Sequence, residues 1–239
     1  RSEQNTFQAR ESTSPGLILN LALFDLDNTL LRGDSDYNWS KFLIKNGLLD
    51  KEEHEKQNEI FYQDYKDGCL DIYKFCEFQF RPFTLIKRDL LNKLREQYVA
   101  EVIKPLVTKK SLNLVKSHQK NNDLCIIITA TNSFITKPIA SLFDVDILIG
   151  TDPEEVDGNF TGHVSGTPSF QEGKITRLKV WLQEHQYSFD SFKQTYFYSD
   201  SQNDLPLLNS VSNPGCVNPD TILESKAKEN NWPIISLDD

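Results

Sequence analysis

The segment Phe24-Asp25-Leu26-Asp27-Asn28-Thr29-Leu30-Leu31 sets the architecture of this chain. It completes a short apolar run, Ile18 to Phe24, whose composition predicts a buried strand. Side-chain oxygens crowd the chain at the point where that strand ends. Because open α/β sheets bind their ligands at the carboxyl ends of the strands, this position predicts a functional site.

Asp25 and Asp27 are two residues apart, so in an extended or loosely turned segment their carboxylates project to the same side. Thr29 is placed to fix the loop. Two close carboxylates repel, and a bound cation or a shared proton relieves the repulsion. An oxygen-rich site of this kind suits Mg²⁺. The alternative is that Asp and Asn serve here only as ordinary turn or helix-capping residues.

Three further polar clusters end a predicted strand or open the helix after one. They are Thr129-Ala130-Thr131-Asn132, Glu172-Gly173-Lys174 and Tyr198-Ser199-Asp200-Ser201-Gln202-Asn203-Asp204. In the cluster that begins at Thr129, hydroxyls and free backbone N–H groups can hold a phosphate oxygen. In the last cluster, Asp200 and Asp204 can supply a metal ligand and a supporting acceptor. Lys174 needs an anionic neighbour there, because the helix dipole disfavours a cation at a helix N-terminus. Taken alone, the Thr129 cluster is more typical of a helix N-cap and Lys174 of a solvated side chain, while the Asp200 cluster fits an N-cap as well as a site. Together the clusters predict one site.

The order of predicted elements indicates an α/β fold, a Rossmann-like parallel sheet core in three layers (α/β/α) with a helical insertion. Residues 33–104 show only helical periodicity, over 35–46, 50–67, 71–81 and 84–103, with the third helix ending at Pro82. This insertion carries 12 of the 26 aromatic residues, which predicts a core of its own. Strand–helix alternation resumes after Pro105. We therefore predict a core of residues 17–32 and 105–239, an insertion over 33–104, and a flexible arm or tag remnant at 1–16.

The length, net charge and cysteine spacing of the chain argue against several classes of protein. A length of 239 residues allows one large domain or a core with an insertion. The net charge of −9 argues against nucleic acid and anionic membranes as partners. No apolar run approaches the ~20 residues of a membrane helix. The cysteines lack paired spacing, which predicts free thiols in a reducing cytoplasm. They are Cys69, Cys76, Cys125 and Cys216.

The ordered motifs resemble those of the haloacid dehalogenase superfamily, and most closely its phosphoserine-phosphatase-like branch. Phe24 to Leu31 is similar to the first motif, Ile128-Thr129-Ala130 to the second, Lys174 to the third, and Asp200 with Asp204 to the fourth. The resemblance extends from Leu17 to Leu237. The helical insertion also resembles the cap domain of that branch, which closes over the substrate.

The resemblance implies a Mg²⁺-dependent phosphatase that hydrolyses a small-molecule phosphate monoester through an aspartyl-phosphate intermediate. Asp25 is then the nucleophile and Asp27 the general acid and base. The implied Mg²⁺ ligands are Asp25, the backbone carbonyl of Asp27, and Asp200, with Asp204 and Thr29 supporting them. The implied phosphate-binding residues are Thr129, Ala130, Lys174 and Asn203. We expect a monomer or a homodimer.

Two departures leave the substrate open. Phosphoserine phosphatases usually have Ser-Gly-Gly where this chain has Thr129-Ala130-Thr131, and Gly-Asp-Gly where it has Ser199-Asp200-Ser201. Relatives with this pattern include phosphoserine and histidinol phosphatases. A phosphotransferase such as a phosphomutase, using the same Asp25 and Asp27, is a further alternative.

Four residues of the insertion are candidates for substrate recognition. Arg81 is suited to pair with a substrate carboxylate, or is a surface residue. Asp34, Asp36 and Trp39 at the cap entrance are suited to an ammonium or imidazole, which would fit histidinol phosphate. The alternative is that Asp34 and Asp36 cap a helix and Trp39 packs in the interior.

Overall fold

The computed structural model describes residues 20–239. Within them, seven strands form one sheet. These are β1 (Leu21–Phe24), β2 (Leu124–Asn132), β3 (Ile147–Val156), β4 (Asn159–Ser165), β5 (Thr195–Ser199), β6 (Asn213–Val217) and β7 (Ile234–Ile235). Their order is β4-β3-β2-β1-β5-β6-β7, and every neighbouring pair is parallel except β3 with β4. The predicted α/β class with a largely parallel sheet is confirmed.

Nine α-helices accompany the sheet in the same part of the chain. They are α1 (Ser35–Lys45), α2 (Lys51–Lys66), α3 (Ile72–Leu85), α4 (Arg88–Tyr98), α5 (Lys109–Lys120), α6 (Ser133–Ala140), α7 (Glu172–Glu184), α8 (Leu205–Leu208) and α9 (Thr221–Asn230). Five of them, α1 to α5, lie between β1 and β2, and α1 to α4 lie within residues 33–104, where the periodicity predicts four helices. The domain boundaries stay a prediction. The predicted arm at 1–16 and the first two residues of the predicted strand lie outside the described residues.

Aspartates begin the first three helices. The side chains of Asp34, Asp50 and Asp71 each accept a hydrogen bond from the backbone N–H three residues further on. Such N-caps satisfy N–H groups that have no partner within the helix. Gly47 and Gly68 follow directly after the C-cap residues of α1 and α2.

Helix α3 differs from its prediction, because it runs through Pro82 to Leu85 and does not stop before the proline. A proline removes one backbone hydrogen bond, and near the end of a helix few further bonds depend on it. Phe80 and Phe83 on either side are both buried, so packing holds the last turn in place. Helix α4 correspondingly begins at Arg88 and not at Thr84.

A tight hairpin joins β3 and β4. Its turn residues Asp157 and Gly158 both have left-handed φ angles, of 51° and 78°. A two-residue hairpin of this twist needs positive φ at both positions, a conformation that Asp and Gly adopt readily. Phe160 in β4 lies 5.1 Å from Phe83 of α3, ring centre to ring centre, so the hairpin packs against the inserted helices.

Two apolar clusters cover the two faces of the sheet. Leu21 and Leu23 of β1 belong to one cluster and Phe24 to the other, as alternation along a strand requires. The cluster around Phe24 also contains Trp39 and Tyr98 of the inserted helices. The expectation of a separate core for the insertion is therefore wrong, because its aromatics share one core with this face of the sheet.

Within residues 20–239, none of the helices combines the length and apolarity needed to cross a lipid bilayer. All four cysteines are free thiols, as predicted.

Candidate active site

The four polar clusters converge at the carboxyl edge of the sheet. Asp25 follows β1 directly, Thr129 lies near the end of β2, and Asp200 follows β5. Lys174 lies in the first turn of α7. These three strands are neighbours in the sheet, so their ends bring the clusters together.

Asp25 is buried, with 6% of its surface exposed. Its Oδ1 accepts a hydrogen bond from Nζ of Lys174 at 2.8 Å, and its Oδ2 accepts one from the Thr29 hydroxyl at 3.1 Å. Burial raises the pKa of the Asp25 carboxyl, although the positive charge of Lys174 acts in the opposite direction. Both carboxylate oxygens are thus held in a fixed orientation.

Lys174 is buried between two carboxylates. Besides Asp25, its Nζ donates to Asp204 at 2.8 Å, and Asp204 also accepts from the Ser199 hydroxyl at 2.6 Å. Burial on its own lowers the pKa of the Lys174 ammonium, but Asp204 and Asp25 together outweigh it and leave that pKa raised. The side chain is therefore a cation paired with anions, and it does not extend into solvent.

Thr29 joins the first cluster to the last. Its hydroxyl lies 3.1 Å from Oδ2 of Asp25 and 3.0 Å from Oδ1 of Asp200. Burial and the nearby Asp25 and Asp204 carboxylates raise the pKa of Asp200 well above its usual value. A buried carboxylate and a half-buried one that share one hydroxyl are a place where a cation would relieve repulsion.

The donor set at this point fits Mg²⁺. Nowhere in residues 20–239 do three or more His, Cys, Asp or Glu side chains come together as a metal-binding group. The side-chain ligands that meet at the Thr29 hydroxyl are the two carboxylates of Asp25 and Asp200. Mg²⁺ prefers oxygen and is usually held by one or two carboxylates while it keeps several waters.

Asp27 is held by two donors. Its Oδ1 accepts the backbone N–H of Ser35 at 2.6 Å, and its Oδ2 accepts the Thr131 hydroxyl at 2.7 Å. Burial, followed by the charge of Asp34, raises the pKa of Asp27 to about 6. A carboxyl with such a pKa exchanges protons readily near neutral pH. The geometry suits Asp27 to proton transfer.

Thr129 and Ala130 lie near the end of β2, at the same edge of the sheet as Asp25 and Asp200. Thr129 is buried, and its hydroxyl accepts the backbone N–H of Thr131 at 3.2 Å. The carbonyl of Ala130 accepts the Thr151 hydroxyl at 2.7 Å.

Asn203 connects the loop after β5 to other elements. Its amide oxygen accepts from Gln171 at 2.9 Å, and its amide nitrogen donates to the backbone carbonyl of Tyr65 at 3.2 Å. Tyr65 in turn donates its hydroxyl to Ser201 at 2.8 Å. Burial, then Asp200 and Asp204, raise the pKa of the Tyr65 phenol, which shows that Tyr65 lies close to the acidic cluster.

Of the candidates in the insertion, Asp34 and Asp36 lie near Asp27. Asp36 is buried and accepts from the Asn132 amide at 3.3 Å. Burial, then Asp34 and Asp27, raise its pKa well above the usual value. Among residues 20–239, no Lys, Arg or His forms a salt bridge with Asp27, Asp34 or Asp36.

Trp39 and Arg81 do not join the site. The Trp39 indole is 1% exposed and packs 5.1 Å from the ring of Tyr98, so it is an interior residue. Arg81 is exposed, and its guanidinium lies 3.8 Å from the carboxylate of Glu53. The structure thus favours packing for Trp39 and a surface position for Arg81.

Three contributors to the site carry no role in the sequence-based prediction. Thr131 stands in the second polar cluster, so its hydroxyl was a visible signal. The backbone N–H of Ser35 gives no signal in a sequence. Tyr65 lies in α2, where nothing distinguishes it from the other aromatics of the insertion.

The chain is similar to several known proteins. The family model of haloacid dehalogenase-like hydrolases matches residues 22–209. A Neisseria meningitidis serogroup C (strain 8013) protein named histidinol-phosphatase is 49% identical over 219 residues, which cover 91% of this chain and 99% of that protein. A Mycobacterium tuberculosis (strain ATCC 25618 / H37Rv) phosphoserine phosphatase is 27% identical over 230 residues, covering 89% of this chain and 69% of that protein.

Two solved structures are similar as well. The crystal structure of a protein of unknown function from Bordetella pertussis Tohama I has a TM-score of 0.88 and 41% identity, covering 93% of this chain and all of that one. A substrate-bound phosphoserine phosphatase has a TM-score of 0.66 and 16% identity, covering 91% of this chain and 92% of that one. The second likeness is one of fold alone.

Proposed function

The chain belongs to the haloacid dehalogenase-like hydrolase family and is a phosphoric monoester hydrolase, and on that basis we propose that it hydrolyses histidinol phosphate with Mg²⁺ as cofactor, using Asp25 as nucleophile. The observation that carries the proposal is the setting of the Asp25 carboxylate. Lys174 holds one of its oxygens, and the Thr29 hydroxyl joins the other to Asp200.

The proposed reaction has two steps. In the first, a carboxylate oxygen of Asp25 bonds to phosphorus while the ester P–O bond breaks, and the Asp27 carboxyl gives its proton to the leaving alkoxide. In the second, water attacks phosphorus and gives a proton to Asp27. Inorganic phosphate leaves, and the Asp25 carboxylate is restored.

Lys174 and Thr129 act on the phosphoryl group. The Lys174 ammonium offsets negative charge beside the nucleophile, where burial makes each charge interaction stronger than in water. The Thr129 hydroxyl and the backbone at Ala130 bind phosphoryl oxygens at the end of β2. Asn203, the further predicted phosphate-binding residue, also holds the loop that carries Asp200 and Asp204.

Asp25, Asp200 and the backbone carbonyl of Asp27 would hold Mg²⁺. When bound, Mg²⁺ supplies positive charge that offsets the repulsion between the Asp25 carboxylate and the phosphate anion. Thr29 orients both carboxylates through its hydroxyl, and Asp204 supports the site through Lys174.

The carboxyl groups near Asp27 suit a cationic substrate such as histidinol phosphate better than phosphoserine. Histidinol phosphate carries an ammonium and an imidazole but no carboxylate. Asp34 and Asp36 place two carboxyl groups near Asp27 without a basic partner among residues 20–239, and a substrate cation beside them would favour their ionised form. Arg81, the candidate partner for a substrate carboxylate, lies at the surface beside Glu53. The relative at 49% identity that is named histidinol-phosphatase supports the same substrate.

We also propose that residues 33–104 form a cap over the site. The contacts of Tyr65 with Ser201 and of Gln202 with the backbone of Lys66 support this, because they join the end of α2 to the loop that bears Asp200.

The test is a turnover screen with histidinol phosphate, phosphoserine and a sugar phosphate, each with and without added Mg²⁺. Asp25→Asn is compared with Asp190→Asn, a change at an exposed position. We expect Mg²⁺-dependent phosphate release, highest kcat/KM for histidinol phosphate, and a loss of at least about a thousandfold in Asp25→Asn with the fold retained. Near-normal activity of Asp25→Asn would refute the nucleophile, and a higher kcat/KM for phosphoserine would refute the substrate.

A further inference from the structure

The Asp27 carboxyl accepts hydrogen bonds from two parts of the chain that are distant from each other in sequence. One donor is the N–H of Ser35, the first residue of α1, and the other is the hydroxyl of Thr131, 104 positions away near the end of β2. Thr131 is 6% exposed, so water does not compete freely for this contact.

We propose that Thr131 is a positioning residue for proton transfer, which holds Oδ2 of Asp27 in place as the oxygen that carries the proton. This inference rests on the proposed role of Asp27 as general acid and base. It assigns a function to a residue that neither the motif pattern nor the proposed mechanism requires.

The argument comes from what each partner of Asp27 is able to do. An N–H group can only donate, so Oδ1 remains an acceptor for Ser35 in either protonation state of Asp27. The proton of the neutral carboxyl is therefore on Oδ2, the oxygen bonded to Thr131. A hydroxyl donates or accepts according to its rotation, so Thr131 matches both the carboxylate and the carboxylic acid. Valine has the same shape and does neither.

Thr131 also ties proton transfer to the phosphate site. Its backbone N–H donates to the Thr129 hydroxyl at 3.2 Å, while its own hydroxyl holds Asp27. The leaving-group oxygen must lie close to Asp27 once the phosphoryl group is bound. One short stretch of β2 thus sets the distance between the acid and the group that it protonates.

The experiment compares leaving groups in single turnovers, with enzyme in excess and Mg²⁺ present. The alkyl ester is histidinol phosphate, whose alkoxide needs a proton, and the other ester is 4-nitrophenyl phosphate, whose phenolate needs little. We expect Thr131→Val to slow histidinol release by about tenfold and nitrophenolate release by less than about twofold, because only the first depends on the acid. Thr131→Ser, which keeps the hydroxyl, should return histidinol release to within about threefold of the unmodified enzyme.

Thr136→Val is the matched control. Thr136 is fully buried, and its hydroxyl donates to the backbone carbonyl of Asn132 and not to a carboxylate. We expect this variant to leave the ratio of the two release rates unchanged. In an Asp27→Asn background, Thr131→Val should add no further loss, because the two residues act as one unit.

Equal slowing of both esters in Thr131→Val, or failure of Thr131→Ser to restore the rate, would show that Thr131 only supports the fold and would overturn the inference. If circular dichroism shows that Thr131→Val is unfolded, Thr131→Ala gives the same ratio. A failure of the proposed substrate is separate: the unmodified enzyme would then release no histidinol, and the ratio would be measured with phosphoserine in its place.

Discussion

The ammonium of Lys174 lies 2.8 Å from the Asp25 carboxylate, although the two residues are 149 positions apart in the chain. The same nitrogen lies 2.8 Å from Asp204, and all three groups are buried. A buried cation between two carboxylates stabilises the fold mainly by preventing the cost of leaving those charges unpaired. Lys174 therefore matters to both stability and the proposed chemistry.

Lys174→Met should lower both properties. The methionine removes the shared partner of Asp25 and Asp204, and breaking a buried pair in this way typically costs about 3–5 kcal/mol. We expect a loss of that order in the free energy of unfolding by urea, together with loss of phosphate release. Lys179→Met is the control, since Lys179 is exposed on the same helix. An unfolding free energy of Lys174→Met close to that of the control would contradict the buried ion pair.

Asp200→Asn should weaken the response to Mg²⁺. Asp200 and Asp25 are the two carboxylates at the Thr29 hydroxyl, and the amide replaces a charged ligand with a neutral one. A ligand that binds only the folded chain raises its melting temperature. We expect Mg²⁺ to raise the melting temperature of the unmodified protein, with at least about tenfold more Mg²⁺ needed for Asp200→Asn. An unchanged Mg²⁺ dependence of melting in Asp200→Asn would argue against this site, whatever the activity of the variant.

Most residues of this site could be predicted from the sequence, because the ends of buried strands are visible as apolar runs that stop at polar residues. Apolar runs that stop at Asp25, Thr129 and Asp200 locate three of the clusters, and parallel pairing brings the carboxyl ends of those strands to one edge. The positive charge of Lys174 at a helix N-terminus is a local conflict, and such conflicts indicate function.

Other features depend on packing that no local pattern records. Trp39 is a residue type that often binds ligands. In the structure, however, its ring packs against Tyr98 in the core shared with the sheet. Arg81 lies on the exposed side of α3, and only the three-dimensional arrangement pairs it with Glu53. Helix α3 continues through Pro82 because buried phenylalanines hold its last turn.

His54 should make stability fall as the pH is lowered. Burial lowers the pKa of His54 below 6.5, its Nε2 lies 3.0 Å from the Ser40 hydroxyl, and its ring is stacked on Phe78. The unfolded chain takes up a proton at His54 near pH 6.5, whereas the folded chain does so only at lower pH. The contribution of neutral His54 to stability is therefore complete above about pH 6.5. It is lost as the pH falls from the pKa of the unfolded chain to that of the folded chain.

The measurement is the free energy of unfolding by urea between pH 7.5 and pH 5, taken for the unmodified protein, His54→Gln and His163→Gln. His163 has an exposed side chain and is the matched control. We expect His54→Gln to lose part of the pH dependence and His163→Gln to keep it. Identical pH dependence in all three proteins would show that His54 does not resist protonation in the folded state.

Gly173→Ala should disturb the site through the backbone alone. A Cβ at Gly173 would overlap the carbonyl oxygen of Pro168, and a backbone atom cannot swing away as a flexible side chain can. The first turn of α7 would have to shift, and with it Lys174, whose Nζ contacts Asp25 and Asp204.

We expect the free energy of unfolding of Gly173→Ala to fall by about 1–3 kcal/mol, as for other overpacked sites. Because a displacement of about 1 Å in a catalytic group can cost a hundredfold in rate, we expect kcat to fall by up to that factor. Glu172→Ala, at the exposed neighbouring position, also places an alanine in the first turn of α7 but adds no Cβ, and it should change the unfolding free energy by less than about 0.5 kcal/mol. If Gly173→Ala behaves like Glu172→Ala in both measurements, then close approach at this glycine is not what places Lys174 beside the nucleophile.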